Sequence, residues 1–380
     1  MNLQTKDLLK LLSIIIRSGE NEKGNNLNKI KNDIFLRACR KQPVERTPIW
    51  IMRQAGRYLP EYRAVRQKAD FLTMCKTPEL AAEVTIQPVD IIGVDAAIIF
   101  SDILVIPEAM GMKLEMHEGK GPIFHKPIRN ENDAKSLKKI DPAKDLKYVL
   151  DAVSLTKKEL NGRVPLIGFS GSPWTLLTYM VEGKGSKNFS SVKSLIYNNP
   201  SLAHSVLSRL ADAVTDFLSA KIEAGADAVQ IFDTWAGILS QNDFEEFSLP
   251  YIEMIVSNIK RKKEPVLYFP KGVHFKLRKL SRCGADVISL DWTMNIGKVR
   301  EKIGKTVALQ GNLDPAVLYA GKEKIKEETN KILGLYGEGS GHIFNLGHGI
   351  LPDVDPENAR YLVKVVKEES GKYHKQSEKA

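Results

Sequence analysis

From about residue 49 to the end of the chain, short apolar runs alternate with amphipathic segments. Eight of the apolar runs have the length and composition of buried β-strands, at residues 49–52, 96–101, 164–169, 228–232, 265–269, 286–290, 306–310 and 342–346. Helical segments lie between them and begin at recognisable signals, such as Thr77-Pro78-Glu79, Asn199-Pro200-Ser201 and Asp355-Pro356-Glu357. This alternation predicts right-handed βαβ units and a parallel sheet. Eight units predict a single (β/α)8 TIM barrel of the α/β class.

Three parts of the chain depart from the alternation. Residues 1–32 join an apolar patch to a polar stretch rich in Gly and Asn, which predicts a helical N-terminal extension, flexible or loosely docked. A non-native start or a targeting segment stays open for this part of the chain. Residues 106–144 predict an insertion after the second strand, and residues 371–380 predict a disordered tail. The barrel domain is therefore predicted to span residues 33–370.

Composition and charge narrow the class of protein. The 380 residues are 43% hydrophobic and 27% charged, with a net charge of +10, which favours an anionic partner such as nucleic acid, a membrane surface or an acidic small molecule. No nucleic-acid-binding module, GxGxxG fingerprint or membrane-spanning apolar run is present in the sequence. Cys39, Cys75 and Cys283 show no CxxC spacing, which argues against a disulfide framework or zinc ribbon and favours the cytoplasm.

Polar side chains, aromatics and glycines concentrate immediately after the predicted strands, where a barrel carries its active site. They include Arg53, Gln54, Arg57, Asp102, Asp233, Thr234, Trp235, Lys271, Asp291, Asn312 and His348. Each has an ordinary structural explanation as well. The arginines could form surface ion pairs, Asp102 could cap a helix, and Thr234 or His348 could be satisfied within its own loop.

Two of the segments that follow predicted strands resemble the signatures of a known family. Residues 52–63, MRQAGRYLPEYR, resemble the amino-terminal signature of the uroporphyrinogen decarboxylase family, and residues 168–180 resemble its second signature. The resemblance extends over residues 32–368. It implies a cytoplasmic homodimer that converts the four acetate side chains of uroporphyrinogen III to methyls, giving coproporphyrinogen III and CO2. It implies no cofactor, no metal, and neither nucleic acid nor membrane as a partner.

The resemblance also implies residue roles. The matching positions give Asp102, Arg53 and Tyr179 as catalytic, and Arg53, Gln54, Arg57, Asp102, Tyr179, Phe232, Thr234 and His348 as substrate-binding. Asp102 is expected to accept the pyrrole N–H groups, with Arg63, Lys271 and His348 as further candidate cations at the rim. The family often has serine where Thr234 stands. The proton donor stays open between Arg53, a bound carboxylic acid and water.

Two other functions are compatible with the same sequence. A methyltransferase of the same superfamily would need a His-x-Cys pair and a distant Cys around zinc. Here His274 is followed by Phe275 and Lys276, and Cys283 stands alone. A porphyrin-binding protein without catalytic activity is the second alternative.

Overall fold

The computed structural model of the chain describes residues 30–117 and 121–374. Its strands are β1 Ala97–Ile98, β2 Leu114–His117, β3 Gly121–Phe124, β4 Leu166–Gly171, β5 Ala228–Asp233, β6 Val266–Pro270, β7 Val287–Ser289, β8 Ala308–Gln310 and β9 His342–Ile343. Its α-helices are α1 Ile34–Cys39, α2 Pro60–Lys68, α3 Phe71–Lys76, α4 Pro78–Ile91, α5 Val105–Ala109, α6 Glu131–Ser136, α7 Pro142–Asp145, α8 Lys147–Leu160, α9 Pro173–Glu182, α10 Ser190–Asn198, α11 Pro200–Glu223, α12 Gln241–Phe247, α13 Leu249–Asn258, α14 Leu277–Leu280, α15 Ile296–Ile303, α16 Lys322–Tyr336 and α17 Pro356–Glu369. Short 3-10 helices span Ala236–Ile238, Pro315–Tyr319 and Ser370–Tyr373.

Seven parallel strands form one curled sheet in the order β1-β4-β5-β6-β7-β8-β9, and β2 and β3 form a separate hairpin. The α/β class and seven of the eight predicted strands are thereby confirmed. The curl is visible inside the sheet, because Gln310 Nε2 on β8 donates to Gln230 Oε1 on β5 at 3.2 Å across the two intervening strands. In a flat sheet these strands would lie about 14 Å apart at ~4.8 Å per strand.

The predicted strand at residues 49–52 is not a regular strand. Ile49 forms a single parallel bridge with Phe344, just after β9, and its carbonyl accepts from Asp95 N at 2.7 Å, just before β1. Side-chain acceptors then replace a strand ladder. Ile51 N donates to the Gln54 side chain at 3.1 Å, and Met52 N donates to the Asn345 side chain at 2.9 Å. The segment therefore touches both ends of the seven-stranded sheet without being a full member of it.

The described residues include only part of the predicted N-terminal extension and of the predicted C-terminal tail. Residues 1–29 of the predicted extension lie outside the described residues, and the described chain begins beside α8, where Lys31 N donates to Gly162 O at 2.7 Å. At the other end, the 3-10 helix Ser370–Tyr373 packs onto the core, with Thr47 N donating to Ser370 Oγ at 3.0 Å. Ordered structure therefore continues past residue 370 to His374.

Helix starts follow the sequence signals. Pro78, Pro200 and Pro356 each begin a helix, as predicted. The Asn199 side chain caps α11 by accepting from Leu202 N at 3.1 Å. In the described ranges no helix combines the length and apolar character that spanning a bilayer requires.

One buried cation lies in the helix layer and was not predicted. Lys221 on α11 is fully buried, and its ammonium donates to Phe169 O at 2.6 Å and lies 4.0 Å from the centre of the Phe217 ring. Burial lowers the pKa of Lys221 to about 7. Its amphipathic position in α11 looks like that of any helix lysine, so the sequence carries no signal for it.

Candidate active site

The loop after the Ile49 bridge presents Arg53 and is fixed from inside by its neighbour. Arg53 has a left-handed backbone with φ 64°, which is uncommon for a residue other than glycine. The Gln54 side chain is fully buried, with Oε1 accepting from Ile51 N and Nε2 donating to Ala96 O, each at 3.1 Å. Both polar ends of Gln54 are used inside the protein, where they fix the loop that carries Arg53.

A second arginine holds the same loop. Arg63 Nη1 donates to the carbonyls of Arg57 at 2.7 Å and Tyr58 at 3.1 Å, which ties this side chain to the turn. Arg53 and Arg57 are exposed as well. Neither of these two guanidinium groups donates a hydrogen bond or forms an ion pair with any residue that the structure describes. Both are therefore available to bind an anion.

The glycines on either side of His348 allow a close approach of two other segments. A Cβ atom on Gly349 would lie 2.3 Å from Arg53 Cδ, so the stem of Arg53 rests directly on the Gly349 backbone. A Cβ atom on Gly347 would lie 2.2 Å from Trp292 N. The loop after β9 therefore sets the path of the Arg53 side chain.

Asp102 follows β1, and only one of its two carboxylate oxygens accepts a hydrogen bond from the described residues. Oδ1 accepts from Leu104 N at 2.6 Å, while Oδ2 has no hydrogen-bond partner among the described residues. Burial raises the pKa of Asp102, and the Leu104 N–H and the positive charge of Arg53 oppose that rise. The local bond is an Asx turn from Asp102 to Leu104, the residue that caps α5, so a local structural role accounts for only one of the two oxygens.

Tyr179 lies on α9 in the same electrostatic environment. Burial raises the pKa of its hydroxyl, and the charge of Asp102 adds to the rise while Trp235 and Arg53 oppose it. The Tyr179 and Trp235 rings are tilted with centroids 6.4 Å apart, and the Phe189 ring lies 4.6 Å from that of Trp235. The phenol therefore stays protonated and can donate a hydrogen bond towards the cleft.

Aromatic rings line the cleft in a connected series. Phe232 contacts Phe169 and Phe269 edge-on at centroid distances of 5.6 Å and 6.3 Å, and His348 lies 6.4 Å from Phe269 and 6.3 Å from Trp292. Burial, with the charges of Arg53 and Lys271, lowers the pKa of His348 to about 3. His348 is therefore neutral at ordinary pH, which corrects the expectation that it supplies a rim cation.

A buried carboxylate supports the loop that carries Thr234, and the sequence did not predict its role. Asp233 is completely buried and accepts from four hydroxyl groups at 2.6–2.9 Å, those of Ser172, Thr175, Ser248 and Tyr268. Burial raises the pKa of Asp233, and these four donors oppose the rise. The network joins the ends of β4, β5 and β6, which leaves Thr234 half-buried at the exit of β5 with a defined backbone position.

The predicted residues fall into two groups. Arg53 influences the pKa values of Asp102, Tyr179 and His348, so these four side chains share one space. The charge of Arg57 acts instead on Tyr62, which places Arg57 further along the loop. Arg53 therefore lies near a carboxylate, a phenol and an imidazole, and Arg57 is a second cation on the same loop.

The zinc ligands of a methyltransferase are not assembled. Within the described part of the chain, no group of three or more His, Cys, Asp or Glu side chains is arranged to hold a metal ion. His274 Nε2 is bound to Thr293 Oγ1 at 2.8 Å. Cys283 is buried, which raises the pKa of its thiol to about 11. A protonated buried thiol is a poor zinc ligand.

Fold and site together define an α/β protein with exposed cationic side chains at the carboxyl ends of a parallel sheet, where this architecture carries its active sites. The sequence model of the family "Uroporphyrinogen decarboxylase (URO-D)" matches residues 30–369. The uroporphyrinogen decarboxylase of Chloroherpeton thalassium is 59% identical over 350 residues, covering 91% of this chain and 99% of that protein. That of Chlorobaculum tepidum is 57% identical over 352 residues, covering 91% of this chain and 100% of that protein. The chain belongs to the uroporphyrinogen decarboxylase family.

Solved structures with similar folds are more distant in sequence. A methyltransferase from Methanosarcina mazei superposes with a TM-score of 0.76 at 22% identity, covering 90% of this chain and 98% of that one. A B12-independent methionine synthase from Shewanella sp. W3-18-1 gives a TM-score of 0.52 at 12% identity, covering 77% and 88%. At these identities the likeness extends to the fold alone.

Proposed function

We propose that this chain decarboxylates the four acetate side chains of uroporphyrinogen III, giving coproporphyrinogen III and CO2, with Asp102 and Arg53 at the centre of the reaction. Decarboxylation in porphyrin biosynthesis is the activity of the family to which the chain belongs. The observation that carries the residue assignment is the pairing of a half-buried carboxylate, open on one oxygen, with a free guanidinium that acts on its charge.

Each part of the cleft matches one part of the substrate. The open oxygen of Asp102 can accept pyrrole N–H groups that point to the middle of the ring system. Arg53 and Arg57 can each clamp a carboxylate with two parallel bonds. The aromatic wall from Phe232 to His348 offers apolar contact to the pyrroles, and Thr234 and Tyr179 add hydroxyl donors.

The chemistry needs an electron sink, which the pyrrole can supply. A proton added to a ring carbon gives a cation conjugated with the acetate methylene. The bond between the methylene and the carboxylate carbon then breaks, its electron pair enters the ring, and CO2 leaves. A proton added to the methylene and one lost from the ring carbon complete the methyl group. The negative charge of Asp102 stabilises the cationic stage.

The proton donor is assigned here to Arg53, because its guanidinium lies with Asp102 and Tyr179 and is free of protein partners among the described residues. An acidic substrate carboxyl group or a water held by Tyr179 is the alternative. The neutral state of His348 makes it a hydrogen-bonding partner for the substrate and not a counter-charge.

Anaerobic incubation with uroporphyrinogen III, with products resolved by carboxyl count, tests the function directly. We expect seven-, six-, five- and four-carboxyl products in succession, at the same rate before and after exhaustive chelation. Activity that returned only on adding zinc to the chelated protein would support the methyltransferase alternative. Tight binding of the porphyrinogen without any product would support the non-catalytic alternative.

Substrate capture should depend on salt and on Arg57. The ligand carries up to eight negative charges, so KM should rise with ionic strength. Arg57→Ala should raise KM about tenfold, the value of one charge-assisted contact, and flatten the salt dependence while changing kcat less. Lys302→Ala, which removes an exposed cation on α15, is the matched control. A salt-independent KM in the parent enzyme would contradict the assignment.

We propose that the sheet and the Ile49 segment together close a (β/α)8 barrel over residues 33–370. The bridge from Ile49 to Phe344 and the hydrogen bond from Asp95 N to Ile49 O support this.

A homodimer is proposed from the family resemblance, and sedimentation equilibrium tests it. A cytoplasmic location is proposed because the cysteines of the described chain are free thiols.

A further inference from the structure

A half-buried ammonium group stands in the cleft without a protein partner. Lys271 directly follows β6, and its Nζ lies 5.9 Å from the centre of the Trp235 ring and 5.6 Å from that of Trp292. Both distances are within the range of a cation–π contact. Among the residues that the structure describes, no carboxylate or carbonyl oxygen lies within hydrogen-bonding or ion-pair distance of this Nζ.

The carboxylate whose charge acts on Lys271, that of Asp291, already accepts hydrogen bonds on both oxygens. Asp291 Oδ2 accepts from Gly272 N at 2.7 Å and lies 3.5 Å from His274 Nε2, while Oδ1 accepts from Thr293 N at 2.9 Å and from Thr293 Oγ1. Asp291 therefore fixes the loop that carries Lys271 and does not neutralise it.

The backbone of Lys271 is hydrogen-bonded through both its N–H and its carbonyl group. Lys271 N donates to Asp233 O at 3.2 Å, and its carbonyl accepts from Gly237 N at 2.9 Å. A Cβ atom on Gly237 would lie 2.8 Å from Gly272 Cα, so the two loops touch through glycines. The ammonium is thus presented to the cleft by a rigid frame, in which little conformational entropy is lost on binding.

Its position complements that of the two arginines. β6 is the middle strand of the seven, whereas the Arg53 loop follows the segment that bridges to one end of the sheet and bonds to the other. Lys271 and Arg53 nevertheless approach the same loop, because Lys271 Nζ lies 5.6 Å from the Trp292 ring, which is 6.3 Å from the His348 ring, and the Arg53 side chain rests on Gly349. Burial lowers the pKa of Lys271 itself, and Asp291 opposes this. A partly desolvated cation without a protein anion is costly unless a ligand supplies one.

We propose that Lys271, which lies beside Trp235 and Trp292, binds a carboxylate of the substrate in addition to those bound by Arg53 and Arg57. This inference rests on the proposed function and adds a third cationic contact to it. The proposal gives Trp292, which is 38% exposed, the role of supporting the Lys271 side chain at this contact.

Lys271→Met tests the proposal, because methionine keeps an unbranched stem between the two indoles and removes the charge. We expect KM for uroporphyrinogen III to rise about tenfold with kcat within about threefold, and the salt dependence of KM to become shallower. Lys271→Arg keeps the positive charge and should raise KM less than Lys271→Met does. The matched control is Lys276→Met on the same loop, since Lys276 already pairs with Glu245 at 3.2 Å.

Two results would overturn the proposal. One is a KM for Lys271→Met within twofold of that for Lys276→Met. The other is an equal rise in KM for Lys271→Met and Lys271→Arg with unchanged salt dependence, which would show that packing and not charge is lost. Near-ultraviolet circular dichroism checks that the indoles keep their places.

Binding separates this inference from the proposed function. Anaerobic quenching of tryptophan fluorescence by uroporphyrinogen III and coproporphyrinogen III reports affinity without turnover. Weaker binding of both by Lys271→Met indicates a propionate partner, and weaker binding of uroporphyrinogen alone indicates an acetate. Equal affinity of parent and variant for both would refute the contact even if the parent is fully active. A parent that binds but never decarboxylates would refute the function and leave the contact standing.

Discussion

Asp102→Asn should lower kcat by about 10²–10³ while leaving the protein folded, by analogy with the loss of one preorganised electrostatic group. Asparagine keeps the volume and can keep the bond that Oδ1 accepts from Leu104 N. It removes the negative charge and can turn an N–H donor towards pyrrole N–H groups. Asp102→Glu keeps the charge and should lose less. The measurement is steady-state turnover of uroporphyrinogen III, with the thermal midpoint recorded for each variant.

Asp70 provides a matched control for this substitution. Its carboxylate also accepts a hydrogen bond from a nearby backbone N–H, that of Thr73, at 2.7 Å. Asp70, however, caps α3 at an exposed position. Asp70→Asn should be nearly neutral, since Asn caps as well as Asp does. If Asp102→Asn behaved in the same way, turning over within about tenfold of the parent, the central-anion mechanism would be wrong.

The pH dependence should follow from the environment of Asp102. Burial raises its pKa, so the carboxylate is lost as pH falls through a value above the ordinary aspartate range. The acidic limb of kcat/KM for the parent should therefore lie above the pKa of a free aspartate, with activity rising as pH rises through it. The residual activity of Asp102→Asn should lack this limb.

The sequence predicted the positions of the strands better than the directions of the side chains that follow them. Strand exits can be located from apolar runs and their polar ends, and all seven regular strands of the sheet fell on predicted runs. Orientation after a strand depends on the loop backbone instead. Arg53 and Gln54 are adjacent in sequence, yet one points out from a left-handed φ and the other is buried under Ala96 O.

Supporting groups were the hardest to predict. Asp233 and Asp291 both stand at strand exits, where a carboxylate suggests chemistry, but each is saturated by donors from other loops. Those donors are distant in sequence, so only the fold brings them together. The prediction of a regular strand at residues 49–52 was wrong for a related reason. There the Asn345 side chain accepts a hydrogen bond that a neighbouring strand would otherwise accept. A hydrogen bond to a remote side chain leaves no periodic signal.

Gly349→Ala should abolish most activity without unfolding the protein, because it acts through Arg53. The added Cβ would lie 2.3 Å from Arg53 Cδ, 2.7 Å from Cγ and 2.9 Å from Nε. The neighbour that must move is a side chain and not backbone. A guanidinium displaced by about 1 Å can cost on the order of 10²-fold in rate. The loss should therefore resemble that of Arg53→Lys, which keeps a charge but not the two-pronged geometry.

Gly347→Ala separates this effect from a general intolerance of the loop. Its Cβ would lie 2.2 Å from Trp292 N and 2.8 Å from Trp292 Cα, which are backbone atoms, so this variant should lose stability as well as activity. Gly349→Ala should keep a thermal midpoint close to that of the parent, and combining it with Arg53→Lys should add little further loss. Near-normal turnover by Gly349→Ala, or a loss that adds fully to that of Arg53→Lys, would show that the Gly349 backbone does not set the position of Arg53.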